Sequence, residues 1–434
     1  MKKRVLIIGS GGREHALGWK LKKSKSVAKL YFAPGNAGTE GIGENIPIKA
    51  TEIEKLLDFS LKNTIDLVVV GPDDPLAMGI VDEFKKHHID IFGPTKKAAK
   101  LEWSKAFAKQ FMIEENIPTA TFRSFDNIED AKTYAKTHPF PLVIKASGLA
   151  LGKGVIIAKT YKMAEKILDD IMVKRIFGDA GREVVIEEFL KGNEISIHVL
   201  SDGKNYVIFP SSKDHKAIFD NDKGPNTGGM GTIAPVPFVD KKLMKIIEKN
   251  IVIPTLDGMK KRGMSFTGCL YPGLMITKDG PKVLEFNARF GDPETQSYMR
   301  LLKTDLFEIF RACVKGTLKK IKMRWENKSA CCIVLASKGY PGAYEKGIPI
   351  QGRTLYSSYQ KVLEVFHAGT TTKEGQMVIN GGRVLGITAV GNNLGQALKR
   401  AYSAIGRKEI HFKGMQFRRD IGKKAMKSKN IFDF

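Results

Sequence analysis

Cysteine is scarce in this sequence, and long apolar runs are missing. The chain has 434 residues and four cysteines, none in a C-x-x-C pair and three in apolar segments. This pattern favours reduced thiols in a core over metal ligands or disulfides. No stretch approaches the roughly 18 apolar residues of a membrane span, and the run Val5–Ile8 is too short for a signal peptide. We therefore expect a cytoplasmic protein with no membrane partner.

Acidic residues are much fewer than basic residues, and the basic excess could serve to bind a partner. Lys plus Arg number 71 against 46 for Asp plus Glu, a net charge of +25. Such an excess suits nucleic acid or anionic small molecules. The lysines are dispersed, however, without an arginine-rich tail or a basic run interleaved with aromatics. We expect a solvated basic surface that also attracts polyphosphates, and no nucleic-acid partner. A nucleic-acid-binding protein is the alternative, and steep salt dependence of duplex binding without ATP hydrolysis would favour it.

The first hundred residues alternate between buried-type strands and helices. The predicted strands cover residues 3–8, 29–33, 66–70 and 89–93, and the predicted helices between them cover residues 14–23, 53–62 and 75–87. Apolar strands separated by helices predict a parallel sheet covered on both faces, ending near Pro94. After a helical stretch at 97–116 the pattern becomes α+β. The tail predicts strands at 331–336 and 384–390 and a helix at 393–405.

The segment from Gly9 to His15 joins the first strand to the first helix. Its glycines allow backbone N–H groups to approach an anion at the helix N-terminus. A dinucleotide fingerprint needs glycine where Glu14 stands and an acidic residue where Ala33 and Pro34 stand. NAD binding is therefore disfavoured, and a single phosphate near Arg13 fits better. A tight turn without a ligand is the plain alternative.

A second glycine-rich segment, residues 147–155, lies between two predicted strands. It does not match the P-loop, because Gly148 and Gly152 are one residue too close and Gly154 replaces Ser or Thr. A glycine-rich hairpin of this kind can close over phosphates, with Lys145 at its base as a point charge.

The strand predicted at 283–290 carries polar groups in order on one face. Period two gives one face with Val283, Glu285, Asn287 and Arg289, and an apolar face with Leu284, Phe286, Ala288 and Phe290. Carboxylate and amide oxygens suit Mg²⁺ that carries nucleotide phosphates. The guanidinium could hold a transferring phosphoryl group or a substrate carboxylate. A solvated strand face is the alternative, which the flanking turn 291–294 makes less attractive.

Four glycines fall within residues 224–231, which indicates either close approach of backbone to a ligand or a mobile loop. Asp214, His215 and Lys216 precede this loop. A lone histidine is usually structural, so His215 is not predicted to be catalytic. No Ser/His/Asp or Cys/His nucleophile arrangement and no zinc spacing is visible.

Several segments together, in order along nearly the whole chain, carry a family resemblance. They are residues 11–15, 34–38, 93–94, 101–102, 104–105, 143–146, 186–190, 214–216, 224–231, 285–296, 339–341 and 420–422. With these motifs the sequence resembles the phosphoribosylamine–glycine ligases, or glycinamide ribonucleotide synthetases, of the ATP-grasp superfamily. The stretch Arg289–Gln296 is the most specific part. Because the resemblance runs to the C-terminal region, we expect no fused downstream activity.

The resemblance implies an α/β and α+β multidomain protein. Its parts would be an N-terminal open parallel-sheet substrate-binding domain (1–103), an ATP-grasp domain (104–328, lid about 119–191) and a small C-terminal α+β domain (329–434). It implies a ligase that joins glycine to 5-phosphoribosylamine through glycyl phosphate, giving glycinamide ribonucleotide, ADP and phosphate in purine biosynthesis. ATP and Mg²⁺ (or Mn²⁺) are the implied cofactors, and we expect a monomer or a weak dimer. An ATP-grasp ligase with another acid or amine, and an inactive homologue, are the alternatives.

The resemblance also implies roles for individual residues. ATP contacts are implied for Lys105, Lys145, Gly148, Gly152, Lys153, Gly154, the adenine hinge Glu187, Glu188, Phe189 and Leu190, and Glu194 on the ribose. Glu285 and Asn287 would hold the metal, and Asp214, Lys216 and Arg289 would act at the reaction centre. Substrate contacts are implied for Gly11, Gly12, Arg13, Glu14, Asn36, Asn226, Thr227, Gly228, Gly229 and Asp292.

Four sites depart from the usual pattern of this family. Asp73 stands where Glu is usual, Ala217 where Arg is common, and Thr232–Ile233 where Ala-Tyr is usual. Pro272 stands where Ala is common and is expected to interrupt a strand. We expect these departures to alter the geometry of the substrate-binding side of the site. The residues expected to bind ATP and metal are not among them.

Overall fold

The computed structural model describes residues 2–150, 154–352 and 361–427, and a parallel five-stranded sheet forms its N-terminal part. The elements of this part are β1 (Lys3–Gly9), α1 (Gly12–Leu21), β2 (Val27–Pro34), α2 (Ala37–Glu40), β3 (Glu44–Asn45), α3 (Ile53–Lys62), β4 (Leu67–Val70), α4 (Asp73–Met78), α5 (Ile80–Lys86), β5 (Ile91–Phe92) and α6 (Lys100–Trp103). The strand order is β3-β2-β1-β4-β5, and the apolar centre of β1 is fully buried. The predicted parallel α/β sheet is confirmed.

One helix predicted in this part is divided into two in the structure, so the prediction of a continuous helix is wrong. The pattern over 75–87 predicted a single helix, but α4 and α5 are separate. The chain breaks at Gly79, whose φ of +98° is a left-handed conformation that glycine adopts readily. The glycine inside the apolar pattern was the signal for this break.

After α7 (Lys105–Glu114) a small unit follows, which we call the lid and define as residues 122–188. It contains β6 (Phe122–Phe125), α8 (Ile128–Thr137), β7 (Leu142–Ala146), β8 (Val155–Ala158), α9 (Tyr161–Leu168) and β9 (Val184–Glu188). The four strands form an antiparallel sheet in the order β6-β9-β7-β8. Their inner face and the two helices bury a hydrophobic cluster of their own, separate from the larger cores of the chain.

A second antiparallel sheet faces the lid. It contains β10 (Asn193–Ser196), β11 (Val199–Asp202), β12 (Tyr206–Ile208), β17 (Thr267–Thr277) and β18 (Gly280–Asn287). Pro272 lies inside the unbroken eleven-residue β17, so the expected interruption is wrong. The irregularity comes one residue later, as a β-bulge: Gly273 pairs with Glu285 and Leu274 with Val283, which leaves Leu284 unpaired.

A third sheet joins the central part of the chain to the C-terminal part. Its strands, in spatial order, are β13 (Lys213–Asp214), β16 (Gly231–Ala234), β19 (Ser329–Ala336), β23 (Arg383–Gly391) and β20 (Leu363–His367). The two small hairpins are β14 (Ala217–Phe219) with β15 (Lys223–Asn226), and β21 (Thr370–Lys373) with β22 (Gln376–Ile379). The sheet therefore crosses the boundary expected at residue 328.

The remaining helices cover these sheets. They are α10 (Lys241–Ile247), α11 (Ile253–Lys261), α12 (Glu294–Leu301), α13 (Leu306–Val314), α14 (Leu394–Ser403) and α15 (Lys423–Lys427). All four cysteines are buried and unpaired, as predicted. In the part of the chain that the structure describes, no helix is long and apolar enough to cross a bilayer.

Candidate active site

A cleft of about 1120 Å³ opens between the lid and the sheet that contains β17 and β18. Most of the residues predicted to bind ATP, metal or substrate line it. They are Lys105, Lys145, Gly154, Glu187, Glu188, Phe189, Leu190, Glu194, Asp214, Lys216, Asn226, Thr227, Gly228, Glu285, Asn287, Arg289 and Asp292. Gly148 and Gly229 lie beside lining residues, and Gly152 and Lys153 lie outside the described residues. A single cavity thus collects side chains from positions 105 to 292.

The inner end of the cleft holds a buried carboxylate between two lysines. Glu187 Oε1 lies 2.8 Å from Lys145 Nζ, and Oε2 lies 3.1 Å from Lys109 Nζ. Lys145 also donates to the Leu284 carbonyl at 2.8 Å, and Lys109 donates to Thr119 Oγ1 at 2.7 Å. Burial lowers the pKa of Lys109 to about 8, although Glu187 opposes the shift. The Glu187 side chain, predicted in the adenine hinge, therefore anchors Lys145 in this structure.

A third lysine comes from the first residue of α7. Ser104 caps this helix by accepting from the Phe107 amide at 3.3 Å, and Lys105 follows directly. Lys105 Nζ donates to the Gly148 carbonyl at 3.0 Å. Burial lowers the pKa of Lys105, and neighbouring Glu285 opposes that shift. Lys105 thus connects α7 to the glycine-rich hairpin of the lid.

Glu285 is surrounded by cations. Its Oε1 lies 3.3 Å from Lys216 Nζ, which also lies 2.6 Å from Glu194 Oε1. Lys216, with smaller contributions from Lys145 and Lys105, lowers the pKa of Glu285 to about 2 despite burial. The pKa of Lys216 is raised well above its ordinary value, because Glu194 and Glu285 outweigh its burial. The carboxylate is therefore ionised at neutral pH.

Asn287 and Arg289 stand at the end of β18. Arg289 Nη2 donates to Asn287 Oδ1 at 3.0 Å and lies 3.0 Å from Glu102 Oε1. Burial disfavours the guanidinium charge, but Glu102 and Asp73 outweigh it, so the pKa of Arg289 is raised. Glu285, Asn287 and Arg289 therefore face the same cleft, as the period-two pattern predicted.

Two details of that strand differ from the prediction. The bulge at Leu284 puts Val283 in the core, fully buried, and places Leu284 on the cleft; the assignment of Val283 to the polar face is wrong. The strand also ends at Asn287 instead of Phe290, because the Ala288 amide donates to Glu102 Oε2 at 2.7 Å and not to a neighbouring strand.

The donor set of Glu285 and Asn287 fits a divalent metal of the Mg²⁺ type. Both offer oxygen, the carboxylate is ionised, and hard cations take oxygen ligands. Mg²⁺ is typically held by one or two protein oxygens together with substrate phosphates. Residues 2–150, 154–352 and 361–427 contain no cluster of three or more His, Cys, Asp and Glu side chains suited to a metal.

Two further carboxylates, Glu294 and Asp214, line the cleft. Glu294 Oε1 accepts hydrogen bonds from Tyr271 at 2.7 Å and from Ser196 Oγ at 3.1 Å. Burial and the neighbouring Glu294 charge raise the pKa of Asp214 well above its ordinary range. These carboxylates line the same cleft as Arg289, so the cleft presents both anionic and cationic groups.

The glycine loop 227–229 is held from the C-terminal part of the chain. The Gly228 amide donates to the Tyr340 hydroxyl at 3.1 Å. Arg383 at the start of β23 donates to the carbonyls of Gly228 and Asp292, and its Nη2 lies 3.5 Å from Asp292 Oδ2. Arg383 and Arg13 lower the pKa of Asp292 against the effect of burial. The loop and the turn after β18 are therefore fixed together.

The predicted phosphate-binding turn 11–14 contacts the cleft residue Asp292. The Arg13 amide donates to Asp292 Oδ2 at 3.3 Å, and Arg13 Nη1 donates to the Phe290 carbonyl at 3.0 Å. Glu14 accepts from the Gly11 amide at 2.6 Å and from Arg13 Nε at 2.5 Å. The turn's polar groups thus face the Phe290–Asp292 segment.

Asn36 caps the short helix α2 and uses its amide fully. Its Oδ1 accepts from the Gly38 and Thr39 amides at 2.9 and 3.2 Å. Its Nδ2 donates to the carbonyls of Ser10 and His367 at 2.8 and 2.9 Å. In the described residues, Asn36 joins β20 to the glycine turn and is not among the side chains that line the cleft.

Sequence reasoning missed several residues at this site. They are Asp73, Glu102, Lys109, Tyr271, Glu294 and Arg383. Glu102 and Glu294 lay inside the quoted family motifs, which was a signal. Lys109 follows Lys105 by four residues, one helical turn on the same face. For Arg383 the sequence offers no signal, because its partner Asp292 is distant along the chain.

Three sequence profiles of one family match the chain in order. The phosphoribosylglycinamide synthetase N domain matches residues 3–102, the ATP-grasp (A) domain residues 103–295, and the C domain residues 330–424. The chain is 50% identical over 420 residues to a phosphoribosylamine–glycine ligase of Caldanaerobacter subterraneus subsp. tengcongensis, covering 96% of this chain and 99% of the relative. It is 48% identical over 430 residues to the trifunctional purine biosynthetic protein adenosine-3 of Gallus gallus, covering 98% of this chain and 42% of that relative.

Solved structures agree with these sequence matches. The crystal structure of phosphoribosylamine–glycine ligase from Thermotoga maritima superposes with a TM-score of 0.83 at 36% identity, covering 96% of this chain and all of that chain, 100%. A biotin carboxylase domain from Hydrogenobacter thermophilus, solved with ADP, magnesium and bicarbonate, superposes with a TM-score of 0.76 at 16% identity, covering 99% of this chain and 94% of that chain. The second likeness shows a shared fold alone.

Proposed function

The chain belongs to the phosphoribosylglycinamide synthetase family, and we infer from this membership that it joins glycine to 5-phosphoribosylamine with cleavage of ATP. The product would be glycinamide ribonucleotide, formed in purine biosynthesis together with ADP and phosphate. The observation that carries this proposal is the ionised Glu285 between Asn287, Arg289 and three lysines in one cleft. Such a cluster suits a triphosphate beside an acid substrate.

We propose that the reaction passes through glycyl phosphate. A glycine carboxylate oxygen attacks the γ-phosphorus of ATP, and the bond to the β-phosphate oxygen breaks to release ADP. The amine nitrogen of phosphoribosylamine then attacks the acyl carbon, loses a proton and expels phosphate. Phosphoryl transfer of this kind depends mainly on positioning and charge neutralisation. The cleft accordingly offers lysines, an arginine and carboxylates.

The proposed division of labour follows the geometry of the cleft. Lys145 and Lys105 would contact the phosphates, because the first is fixed by Glu187 and the second by Gly148. Glu285 and Asn287 would hold Mg²⁺ or Mn²⁺, which neutralises charge on the β- and γ-phosphates when it is bound. Arg289 would bind the glycine carboxylate. We propose that the lid, which is followed along the chain by the rest of the hinge 187–190, excludes water from the acyl phosphate.

The substrate-side assignments are also proposals. Asp214 and Lys216 would act beside the reacting atoms, and the loop 226–229 with Asp292 would line the phosphoribosylamine. The turn 11–14 would lie beside the phosphoribosylamine, next to Asp292, to which the Arg13 amide donates. For Asn36 we propose an indirect role, since its amide is bonded to four backbone groups.

We further propose functional units at residues 1–103, 104–328 and 329–434. We propose a monomer, or a weak dimer, as the active species, and sedimentation velocity tests this. A cytoplasmic location suits the four buried unpaired thiols.

The testing experiment is ADP release with Mg-ATP, glycine, and phosphoribosylamine generated in place from ribose 5-phosphate and ammonia. We expect release only when all three substrates are present, with the amide product visible by mass. ATP binding without such release would keep the fold but require another acid or amine, the nearest alternative function.

A further inference from the structure

Arg289 stands where the regular strand has already ended, so the β-ladder does not fix its direction. Strand β18 stops at Asn287, two residues earlier. The guanidinium is held by three groups: Asn287 Oδ1 at 3.0 Å, the Phe290 carbonyl at 3.2 Å and Glu102 Oε1 at 3.0 Å. Two of these belong to the segment that carries the arginine. Glu102 is the one anchor among them that comes from a different part of the fold.

Glu102 holds both the backbone and the side chain of this segment. One carboxylate oxygen pairs with Arg289, and the other accepts the Ala288 amide at 2.7 Å. The residue lies on α6, 8% exposed, three positions before Lys105. Since buried carboxylates are rare unless paired, this bridge is a specific arrangement and not a solvated surface contact.

The bridge is electrostatically costly to keep. Burial raises the pKa of Glu102 to about 7, Arg289 opposes the rise, and Asp73 adds to it. The contacts of this carboxylate with Arg289 and the Ala288 amide therefore have to offset the cost of burying it.

The structure assigns Glu102 as the positioning residue for Arg289: through its bridge to the Ala288 amide and the guanidinium, it aims the arginine at the acid substrate. The residue would not touch substrate itself. The inference rests on the proposed function, because it takes Arg289 to bind the carboxylate that is activated. A misplacement of about 1 Å in such a group can cost roughly 10²-fold in rate.

The experiment is a double-mutant cycle with Glu102→Gln and Arg289→Lys in the full chain. We expect Glu102→Gln to lower kcat/KM for glycine by about 10²-fold, with KM for ATP changed less than about threefold. In the Arg289→Lys background, Glu102→Gln should change kcat/KM for glycine by less than about threefold. The effects of two substitutions are not additive when the two groups act as one unit. Equal factors in both backgrounds would overturn the inference.

The matched control is Glu364→Gln, which removes the carboxylate from another, partly buried pair, Glu364 with Arg300 at 3.5 Å. It should leave kcat/KM near the wild-type value; a loss equal to that of Glu102→Gln would also overturn the inference. If Glu102→Gln does not fold by circular dichroism, Glu102→Asp replaces it, with partial activity expected and full activity contradicting the role. Failure of the proposed function would show in the wild type, as ADP release that ignores glycine. The cycle is then measured with whichever acid supports release.

Discussion

Replacing Glu187 with Gln removes the one carboxylate that separates Lys109 from Lys145. All three side chains are at most 6% exposed. Losing one partner of a buried ion pair typically costs about 3–5 kcal/mol, a large part of the roughly 5–15 kcal/mol that stabilises a domain. Lys145 also loses one of the two groups that hold its amine, Glu187 and the Leu284 carbonyl. We therefore expect the free energy of unfolding to fall by about 3 kcal/mol or more at pH 7, and KM for ATP to rise roughly tenfold.

The same variant should change how stability depends on pH. In the wild type, burial lowers the pKa of Lys109 from 10.5 to about 8, so the folded state binds this proton less tightly than the unfolded state. The penalty, about 3 kcal/mol for such a shift, is complete below pH 8 and disappears as pH rises from 8 to 10.5. Glu187 opposes the lowering, so in Glu187→Gln the rise in stability should begin below pH 8.

The assay is guanidinium chloride unfolding at pH 7 and 9, with hydrogen exchange of the β7 and β9 amides to localise the effect. The control is Glu188→Gln, the next residue on the same strand, whose side chain is 44% exposed and whose loss should cost under about 1 kcal/mol. A loss below about 1 kcal/mol for Glu187→Gln, or equal losses for both variants, would refute the reasoning.

Three other outcomes are expected. Glu285→Ala should reduce ADP release by about 10²-fold or more while the circular dichroism spectrum is unchanged; near-wild-type turnover would contradict the metal assignment. Asp292→Asn should loosen Arg383 and raise KM for phosphoribosylamine about tenfold with KM for ATP unchanged, and a selective effect on ATP would count against the substrate-side placement. Burial raises the pKa of Cys331 to about 12, so a thiol reagent should label this residue only after unfolding, and rapid labelling of the native protein would show that the core is open.

The sequence predicted local periodicity well and distant partners poorly. Glu285, Asn287 and Arg289 were placed on one cleft because side chains alternate along a strand. Val283 was misplaced because the bulge at Leu284 depends on the register with Gly273 in β17, which period two cannot reveal. The break between α4 and α5 could have been anticipated from Gly79.

At the site, too, the sequence did not predict contacts between segments that are distant along the chain. Glu187 was predicted as a hinge residue, and that prediction did not include the pairing of its carboxylate with lysines from α7 and β7. Asp292 was predicted to bind substrate, but its dependence on Arg383 joins two segments far apart in sequence. Ion pairs of this kind form only when the chain is folded, and a single sequence carries no periodicity that marks them.

The lid's separate hydrophobic cluster has a consequence for the energetics of the whole enzyme. Its sheet shares no ladder with the other described sheets, and the contacts that join it to β18 are polar, such as Lys145 with the Leu284 carbonyl. Moving this unit outward would break polar contacts with the rest of the site, among them the buried Glu187–Lys109 ion pair, and would leave the lid's own hydrophobic cluster intact. We expect substrate entry to proceed by rigid displacement of the lid, while the frame that holds Glu285, Arg289 and the glycine loop remains a preassembled half of the site.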